Sequence, residues 1–311
     1  MDFNHTSVML SEVVNALAIK PNGTYLDGTL GGGGHSHAIG SKLSDRGILI
    51  GIDRDDDAIQ AARQRLKDLT CGVKIVRANF SDLDKILDDL NVSELDGAVF
   101  DLGVSSHQID TADRGFSYVH DAPLDMRMDR RQSLTARDVI NTYAQERLTK
   151  IFRDYGEERF ARRIAAEICR TRTTSAIETT GELVRLIERT APRTKNGGHP
   201  AKRIFQAVRI EVNGELEILA GALTKTVARL KVGGRLAVIT FHSLEDRIVK
   251  ETFRSLAQDC ICPKNFPVCV CNHHAQIKIL GKVQTPSPHE TEQNLRAKSA
   301  KLRVAEKIWR A

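Results

Sequence analysis

The sequence predicts an α/β fold in which a parallel, doubly wound sheet is interrupted by an inserted helical domain. Apolar strand patterns alternate with helical patterns over the first hundred residues. A glycine-rich turn at 28–34 closes the first strand, as at many ligand-binding sheet edges. The strand pattern stops near residue 107 and resumes after residue 212. We therefore predict one domain built from 1–106 and 213–311, and a helical domain at 107–212.

Each element follows from the spacing of its apolar residues. A helix at about 10–17 precedes the first strand, and the first four strands are predicted at 24–29, 48–53, 73–77 and 96–102. The helices between these strands are predicted at 35–44, 56–69 and 81–90. The helices of the insertion are predicted at 135–142, 144–154, 157–171, 180–191 and 199–212.

After the insertion the strand and helix alternation returns. The pattern predicts a helix at 214–230, a turn at 231–234 and an apolar strand at 235–241. Ser243 is predicted to cap the following helix, with Asp246 at its third position. The last strands are predicted at 276–280 and 301–305.

Bulk composition is that of an ordinary globular protein. The chain has 311 residues, of which 41% are hydrophobic and 28% charged. No apolar run approaches the ~20 residues of a membrane-spanning helix, and no signal-peptide pattern opens the sequence. We expect a cytoplasmic protein with no membrane partner, whose six cysteines are thiols or ligands and not disulfides.

Positive charge is concentrated in the insertion. The net charge is +6, and residues 159–209 carry 12 Lys and Arg against 4 Asp and Glu. A concentrated basic segment is typical of a surface that binds a polyanion. The alternative is a set of solvated helix faces, which commonly carry such charges.

The glycine-rich turn and two acids predict a nucleoside pocket. Asp27 precedes the turn, and Asp53 ends the second strand, where an acid can accept both hydroxyls of a ribose. The turn lacks the G-x-G-x-x-G spacing of dinucleotide folds, and Asp27 would repel a pyrophosphate. S-adenosylmethionine has an amino group, a sulfonium and a ribose but no phosphate, so the pattern favours a methyltransferase. The alternatives are a dinucleotide-dependent oxidoreductase and a glycine-rich surface turn without a ligand.

Polar residues follow the fourth and fifth strands of the predicted sheet. Asp101, Ser105 and Ser106 follow the fourth strand, and His242 follows the fifth. Ligands of open α/β sheets bind outside the carboxyl ends of the strands, so these four residues are candidates for catalysis. Ser105 with Gln108 also fits a helix-capping pattern, and His242 also fits a structural role.

A cysteine motif follows the predicted fifth strand and its helix. Cys260-x-Cys262 and Cys269-x-Cys271 supply four thiols, which could bind zinc. The C-x-C spacing is tighter than the usual pairs of structural zinc sites, and the alternative is a loop of buried thiols. We therefore assign no metal from the sequence.

Several blocks of sequence resemble one family. They are Asp27-Gly28-Thr29-x-Gly31-x-Gly33-Gly34-His35, Asp101-Leu102-Gly103-Val104-Ser105-Ser106, Arg114-Gly115-Phe116-Ser117, Pro123-Leu124-Asp125-Met126-Arg127-Met128, Tyr155-Gly156-Glu157-Glu158, Phe205-Gln206-Ala207-x-Arg209-Ile210 and Phe241-His242-Ser243-Leu244-Glu245-Asp246-Arg247. Together they resemble the bacterial small-subunit (16S) ribosomal RNA cytosine-N4 methyltransferase family, subunit-H type, over nearly the whole chain.

The resemblance implies a Rossmann-like S-adenosylmethionine-dependent methyltransferase sheet with an inserted helical substrate-recognition domain. It implies transfer of a methyl group to N4 of a cytidine in the decoding region of 16S ribosomal RNA, within a small ribosomal subunit particle. A homodimer is a further possibility, and a non-enzymatic RNA-binding assembly protein is the alternative.

The resemblance also implies site residues. The family's cofactor residues fall on Gly33, Gly34, His35, Asp53, Phe80, Asp101 and Gln108, with Phe80 against adenine. The basic helices of the insertion would hold RNA phosphates through Arg162, Arg163, Arg170, Lys202, Arg203 and Arg209.

Overall fold

The computed structural model describes residues 7–191, 198–263, 268, 270–271 and 273–309. The chain divides into two compact units, one formed by Met1–Gly103 and Leu216–Ala311 and the other by Val104–Glu215. The inserted unit thus begins three residues before the predicted 107–212 and ends three residues after it. None of the helices in the described part of the chain is long and apolar enough to cross a membrane.

The elements alternate in the first unit and are helical in the second. The strands are β1 (Thr24–Asp27), β2 (Ile48–Asp53), β3 (Gly72–Arg77), β4 (Leu95–Asp101), β5 (Leu230–Thr240), β6 (Ile277–Ile279) and β7 (Lys301–Lys307). The helices are α1 (Leu10–Leu17), α2 (Gly34–Gly40), α3 (Asp56–Leu66), α4 (Leu83–Asp89), α5 (Ser106–Asp110), α6 (Ala136–Thr142), α7 (Gln145–Asp154), α8 (Ala161–Arg172), α9 (Thr180–Thr190), α10 (Ala201–Asn213), α11 (Leu219–Arg229), α12 (Ser243–Leu256) and α13 (Pro288–Gln293).

The seven strands form one sheet in the order β3-β2-β1-β4-β5-β7-β6. Strands β1 to β5 are parallel, whereas β7 is antiparallel to both β5 and β6. The run β3-β2-β1-β4-β5 is the strand order of a Rossmann fold. The predicted α/β fold class is therefore confirmed.

The sheet is buried on both faces, because successive side chains point into two different apolar cores. Leu26 and Phe100 pack in one core with residues of α4, α11 and α12. Tyr25 and Val99 pack in the other with residues of α1, α2 and α3. Strands covered by helices on both sides read as continuous apolar runs, which is why β2 is recognisable from the sequence.

Strand β5 begins earlier than predicted. The ladder with β4 pairs Leu95 with Leu230 and then Gly97 with Arg235, so residues 231–234 bulge opposite a single residue of β4. Gly233 has a φ of 81° within this bulge. The predicted turn at 231–234 is therefore an irregularity inside the strand, because Leu230 returns to the sheet before the bend.

The inserted unit has its own apolar core. On α8, Ile164, Ala165 and Ile168 are buried, whereas Arg162 and Arg163 are exposed. This division follows the helical period, which brings residues three and four apart to the same face. The unit can therefore bury an apolar core and still present a basic surface.

Candidate functional site

Three carboxylates end neighbouring strands at one edge of the sheet. Asp27, Asp53 and Asp101 are the last residues of β1, β2 and β4, and β1 lies between the other two strands. The strand order reverses direction between β1 and β4, which is where open α/β sheets bind ligands.

The glycine-rich turn after β1 is held against the sheet by its backbone. The Gly28 N–H donates to the Val99 carbonyl (2.9 Å) and the Leu30 N–H to the Ile52 carbonyl (2.9 Å). A Cβ on Gly28 would collide with the Phe100 ring, and Gly33 has a φ of 77° at the start of α2. The turn thus requires glycine both for close packing and for its backbone conformation.

Asp53 connects this turn to β2. Its Oδ2 accepts a hydrogen bond from the Gly31 N–H (2.8 Å), and its Oδ1 accepts one from the Asp55 N–H (2.9 Å). Burial raises the pKa of Asp53 to about 6. Each carboxylate oxygen has a second lone pair, so both oxygens can still accept a ligand hydroxyl.

Asp101 has an acceptor that the fold leaves unused. Its N–H donates to the Thr29 hydroxyl (2.6 Å), and its Oδ2 lies 3.6 Å from His35 Nδ1. Its Oδ1 is buried and has no hydrogen-bond partner among the described residues. Burial, with Asp27 and Glu245 nearby, raises the pKa of Asp101 to about 6. A buried acceptor without a donor is costly, and a bound ligand can supply the donor.

His35 is fixed by the N-terminal segment. Its Nε2 lies 3.0 Å from the Val8 carbonyl, which can only accept, so Nε2 carries a proton and Nδ1 faces Asp101. Gly34 lies against Ser7, whose hydroxyl oxygen a Cβ on Gly34 would meet. Residues 7–8 thus form part of the site, although their sequence carried no signal for it.

The carboxylate of Asp27 is hydrogen-bonded to neighbouring residues of the fold. It is buried, accepts a hydrogen bond from the Ser36 hydroxyl (2.7 Å) and accepts a second one from the Thr29 N–H (3.2 Å). Burial raises its pKa. Asp27 therefore ties α2 to β1.

Phe80 stands on the short 3₁₀ turn that follows β3. Its ring is half-buried and meets the ring of Phe100 edge-on, with a centroid distance of 5.6 Å. The exposed part of this ring is an apolar surface at the same edge of the sheet as Asp53.

Three other predicted residues belong to the inserted unit. The Ser105 hydroxyl accepts the Gln108 N–H (3.2 Å), and Gln108 Oε1 accepts the Ser105 N–H (3.0 Å), which caps α5. Ser106 is buried on the same helix. The capping alternative for Ser105 is therefore what the structure shows, and the catalytic and cofactor roles of these residues stay predictions.

His242, and not Ser243, caps α12. His242 Nδ1 accepts a 3.4 Å hydrogen bond from the Glu245 N–H, and the Glu245 carboxylate accepts the backbone N–H groups of Phe241 (2.8 Å) and His242 (3.3 Å). The prediction that Ser243 caps this helix with Asp246 was wrong by one residue, because His242 and Glu245 have the capping-box spacing. This cap gives Nδ1 of His242 a structural role, whereas its buried Nε2 lies 3.1 Å from Glu245 Oε1 without a hydrogen bond among the described residues.

The six predicted RNA contacts differ in their local partners. Arg162, Arg163 and Lys202 are exposed, and their side chains have no ion pair in the described parts of the chain. Arg170 pairs with Glu167 (2.6 Å), and Arg203 donates to the Glu157 carbonyl (3.1 Å).

Arg209 is the most constrained of the six. Its guanidinium makes two 2.9 Å hydrogen bonds to the buried carboxylate of Glu215. A bidentate pair of this kind fixes the end of α10, so the structure weighs against Arg209 as a phosphate contact.

Comparisons with known proteins agree with this architecture over the whole chain. A family model described as the MraW methylase family matches residues 2–308. Ribosomal RNA small subunit methyltransferase H of Clostridium botulinum (strain Kyoto / Type A2) is 54% identical over 310 residues, which cover 99% of this chain and 100% of the relative. The protein of the same name in Clostridioides difficile (strain 630) is 52% identical over 311 residues, with coverage of 99% and 100%.

Solved structures include an rRNA methylase from Streptococcus thermophilus. It aligns with a TM-score of 0.44 at 14% identity and covers 99% of this chain and 100% of that chain. The family assignment comes from the sequence matches, which span nearly every residue. The chain belongs to the MraW methylase family and is an S-adenosylmethionine-dependent methyltransferase.

Proposed function

We propose that the protein transfers a methyl group from S-adenosylmethionine to the N4 exocyclic amine of a cytidine in the decoding region of 16S ribosomal RNA. The names of the full-length relatives support ribosomal RNA of the small subunit as the substrate class. One structural observation carries the proposal: Oδ1 of Asp101 is buried beside the glycine-rich turn and has no hydrogen-bond donor among the described residues.

The edge formed by β1, β2 and β4 fits S-adenosylmethionine in chemistry. The turn offers backbone without side chains, and the carboxylates of Asp53 and Asp101 favour a cation over a phosphate. When bound, the cofactor supplies an electrophilic methyl group on a sulfonium. We assign Asp53 to the ribose hydroxyls, Phe80 to the adenine and Asp101 to a donor N–H group.

The remaining cofactor residues act around these three. Gly33 and Gly34 let the backbone approach the ligand closely, and His35 lies beside the Asp101 carboxylate, with its Nδ1 3.6 Å from Oδ2. Gln108, which the resemblance adds to this set, caps α5 in the inserted unit. Its cofactor contact is part of the proposal.

The target amine needs help from the protein. Its lone pair is delocalised into the cytosine ring, so a group that accepts its N–H hydrogens and orients the nitrogen increases its reactivity. Asp101, Ser105 and Ser106 are the proposed acceptors, and His242 is the fourth residue predicted for catalysis. Holding the reacting atoms in line is worth up to about 7–11 kcal/mol of the barrier.

The inserted unit is the proposed RNA-binding part. Arg162, Arg163 and Lys202 present exposed charges on α8 and α10, where phosphates can approach. Phosphate contacts set the register of an RNA, and the reacting base must leave its stack to meet the cofactor. A structured particle holds such a base in place, which favours a small ribosomal subunit particle as the substrate.

The test is mass spectrometry of 16S RNA treated with the enzyme and S-adenosylmethionine. Small subunits from cells lacking the modification and naked 16S RNA from the same cells serve as parallel substrates. We expect one N4-methylcytidine, located in the decoding region and formed faster in the particle. Methylation of a carbon atom or of another nucleotide would contradict the proposal. So would an absence of methyl transfer by protein that binds the cofactor.

A further inference from the structure

The connection between α12 and β6 is long and has little apolar packing of its own. It spans residues 257–276, whereas loops longer than about 12–15 residues are uncommon in compact domains. The apolar side chains of Ile261, Val268 and Val270 are 58%, 69% and 68% exposed. Hydrophobic burial therefore does not hold the described part of this connection in place.

Two backbone N–H groups of the described residues donate hydrogen bonds at the base of the connection. The Gln276 N–H donates to the Leu256 carbonyl (2.8 Å), and the Ala275 N–H donates to the Asp259 carboxylate (3.2 Å). A segment of this kind requires another source of stability, such as a cross-link or a metal ion.

Three sulfur atoms converge inside the connection. The Sγ atoms of Cys260, Cys262 and Cys271 all lie within 4.8 Å of one another, and all three residues are half-buried. The Cys271 and Cys260 sulfurs are 3.8 Å apart. The Val270 N–H points to Cys262 Sγ at 3.5 Å, a contact that stabilises a thiolate more than a thiol.

These distances suit tetrahedral zinc. Two thiolates bound to one zinc at about 2.3 Å each, with a tetrahedral angle between them, have sulfurs about 3.8 Å apart. That is the distance between Cys260 and Cys271. A disulfide requires its sulfurs at about 2.0 Å, so the observed spacing excludes a disulfide and fits both a thiol–thiol hydrogen bond and two ligands of one ion.

We propose that Cys260, Cys262 and Cys271 bind one zinc ion, which fixes the connection between α12 and β6. The ion replaces the missing apolar core and secures the approach to β6, which lies at the edge of the sheet. Its role is structural, because all three thiolates belong to the segment that the ion fixes.

The fourth position of the ion is left to water, because the group of potential ligand atoms within 4.8 Å of one another consists of these three thiols among the described residues. Cys269 lies outside the described residues, and the three-thiolate site does not depend on it.

The direct test is the metal content of the full-length protein. The protein is reduced, loaded with zinc and passed through a desalting column, and its zinc is then measured by plasma mass spectrometry. We expect about one zinc per chain, since structural zinc–thiolate sites bind tightly at neutral pH. Cys260→Ser, Cys262→Ser and Cys271→Ser should each lose at least about nine-tenths of it. Cys169→Ser, in the inserted unit, is the control and should retain it.

A second measurement keeps the test independent of how the variants fold. Wild-type protein is alkylated with and without bound zinc, and the labelled cysteines are identified by peptide mass spectrometry. Zinc should protect Cys260, Cys262 and Cys271 and leave the labelling of Cys169 unchanged. Cobalt(II) in place of zinc should give the visible absorption bands of tetrahedral thiolate ligation, and the three serine variants should lose them.

Three results would overturn the proposal. The first is wild-type protein that retains less than about a tenth of an equivalent of zinc after loading. The second is equal metal loss in Cys169→Ser and the three site variants, which would place the metal elsewhere. The third is a Cys260–Cys271 disulfide, in freshly prepared protein, that zinc and reductant together do not replace.

Discussion

At the scale of single residues, Asp53 and Asp101 show how hydrogen-bond partners separate two similar carboxylates. Each ends a strand, and burial raises the pKa of each to about 6. Each oxygen of Asp53 already accepts a backbone N–H, so its position is fixed before a ligand arrives. Asp101 keeps a buried oxygen without a donor. In the proposed site, Asp53 is therefore a preorganised acceptor, and we expect Asp101 to gain most from a ligand donor.

Replacement of Asp53 tests the proposed ribose contact. Asp53→Asn should weaken S-adenosylmethionine binding about 10- to 100-fold, because hydrogen bonds to a charged group contribute about 1.5–3 kcal/mol. Isothermal titration calorimetry measures the change, and thermal unfolding checks that the fold persists. Asp45→Asn, at an exposed position in the same unit, is the matched control and should bind normally. Equal affinity in wild type and Asp53→Asn would remove Asp53 from the site.

The raised pKa of Asp101 predicts opposite pH trends for stability and for binding. Because its pKa of about 6 in the folded protein exceeds the usual 3.8, the folded state binds more protons between these values. The stability contribution of this group is therefore complete below about pH 4 and is lost as the pH rises through about 6. Cofactor affinity runs the other way, because the carboxylate is the form that accepts a donor. It should fall by up to about tenfold per pH unit below pH 6.

Asp101→Asn is the variant that checks this prediction. It should reduce the pH dependence of both stability and cofactor affinity. A smaller pH dependence should remain from Asp53, whose pKa is also about 6. Stability is measured by denaturant unfolding of the ligand-free protein between pH 4 and 7.5, and affinity by calorimetry over the upper half of this range. Wild-type affinity that stays constant between pH 5 and 7 would show that no ionised carboxylate with this pKa receives the cofactor.

At the scale of elements, some polar residues that the sequence motifs suggest as catalytic serve as helix caps. His242 and Glu245 form a capping box for α12, and Ser105 and Gln108 form another for α5. Both helices begin after a strand of the sheet, where the backbone N–H groups of a first turn need acceptors. A polar residue at a strand end can therefore cap a helix or act in catalysis, and its contacts in the structure distinguish these two roles.

Substitution of His242 separates capping from catalysis. His242→Asn keeps an N-cap acceptor and should preserve most of the stability and activity, whereas His242→Ala should cost about 0.5–2 kcal/mol of stability. Unfolding by denaturant and methyl transfer at saturating cofactor measure the two effects. A large loss of turnover in His242→Asn with unchanged stability would show that His242 acts in the reaction, as the sequence suggested.

At the scale of the whole molecule, the sequence divides its chemistry between two compact units. Unit one carries the carboxylates and the glycine-rich turn, and the inserted unit carries the basic helices. Within the insertion, ion pairs neutralise some cations, such as Arg209 and Arg170, but leave Arg162 and Arg163 exposed on α8. The exposed cations without ion pairs are the ones that attract phosphates over a distance.

Removing these charges should weaken RNA binding without affecting the cofactor. Arg162→Ala/Arg163→Ala should reduce the slope of log affinity against log salt by about 2, one unit for each lost phosphate contact. Filter binding over a salt series measures the slope, and calorimetry measures the cofactor.

The matched control for this double variant removes the same charge from the same unit. Arg137→Ala/Arg153→Ala deletes two arginines that already pair with Glu178 and Asp154. It should leave the salt slope nearly unchanged. If both double variants behave alike, only the total charge of the insertion matters, and α8 is not the contact surface.

The sequence by itself determined the strands, the insertion and the residues at the strand ends. Buried strands such as β2 are continuous apolar runs, and helices such as α8 repeat their apolar residues every three to four positions, so both are visible locally. The position of Asp53 and Asp101 at one edge followed from the rule that parallel strands end together.

Only the tertiary structure decided which polar atoms are occupied. Asp27 accepts the Ser36 hydroxyl, Nδ1 of His242 accepts the Glu245 N–H and Arg209 pairs with Glu215. Oδ1 of Asp101 and Nε2 of His242 have no hydrogen-bond partner among the described residues. The convergence of Cys260 and Cys271 likewise appears only in three dimensions. The physical reason is the distance along the chain over which each feature is set. Periodicity depends on neighbouring residues. A hydrogen bond or a set of ligands depends on tenths of an ångström between segments that are far apart in the sequence.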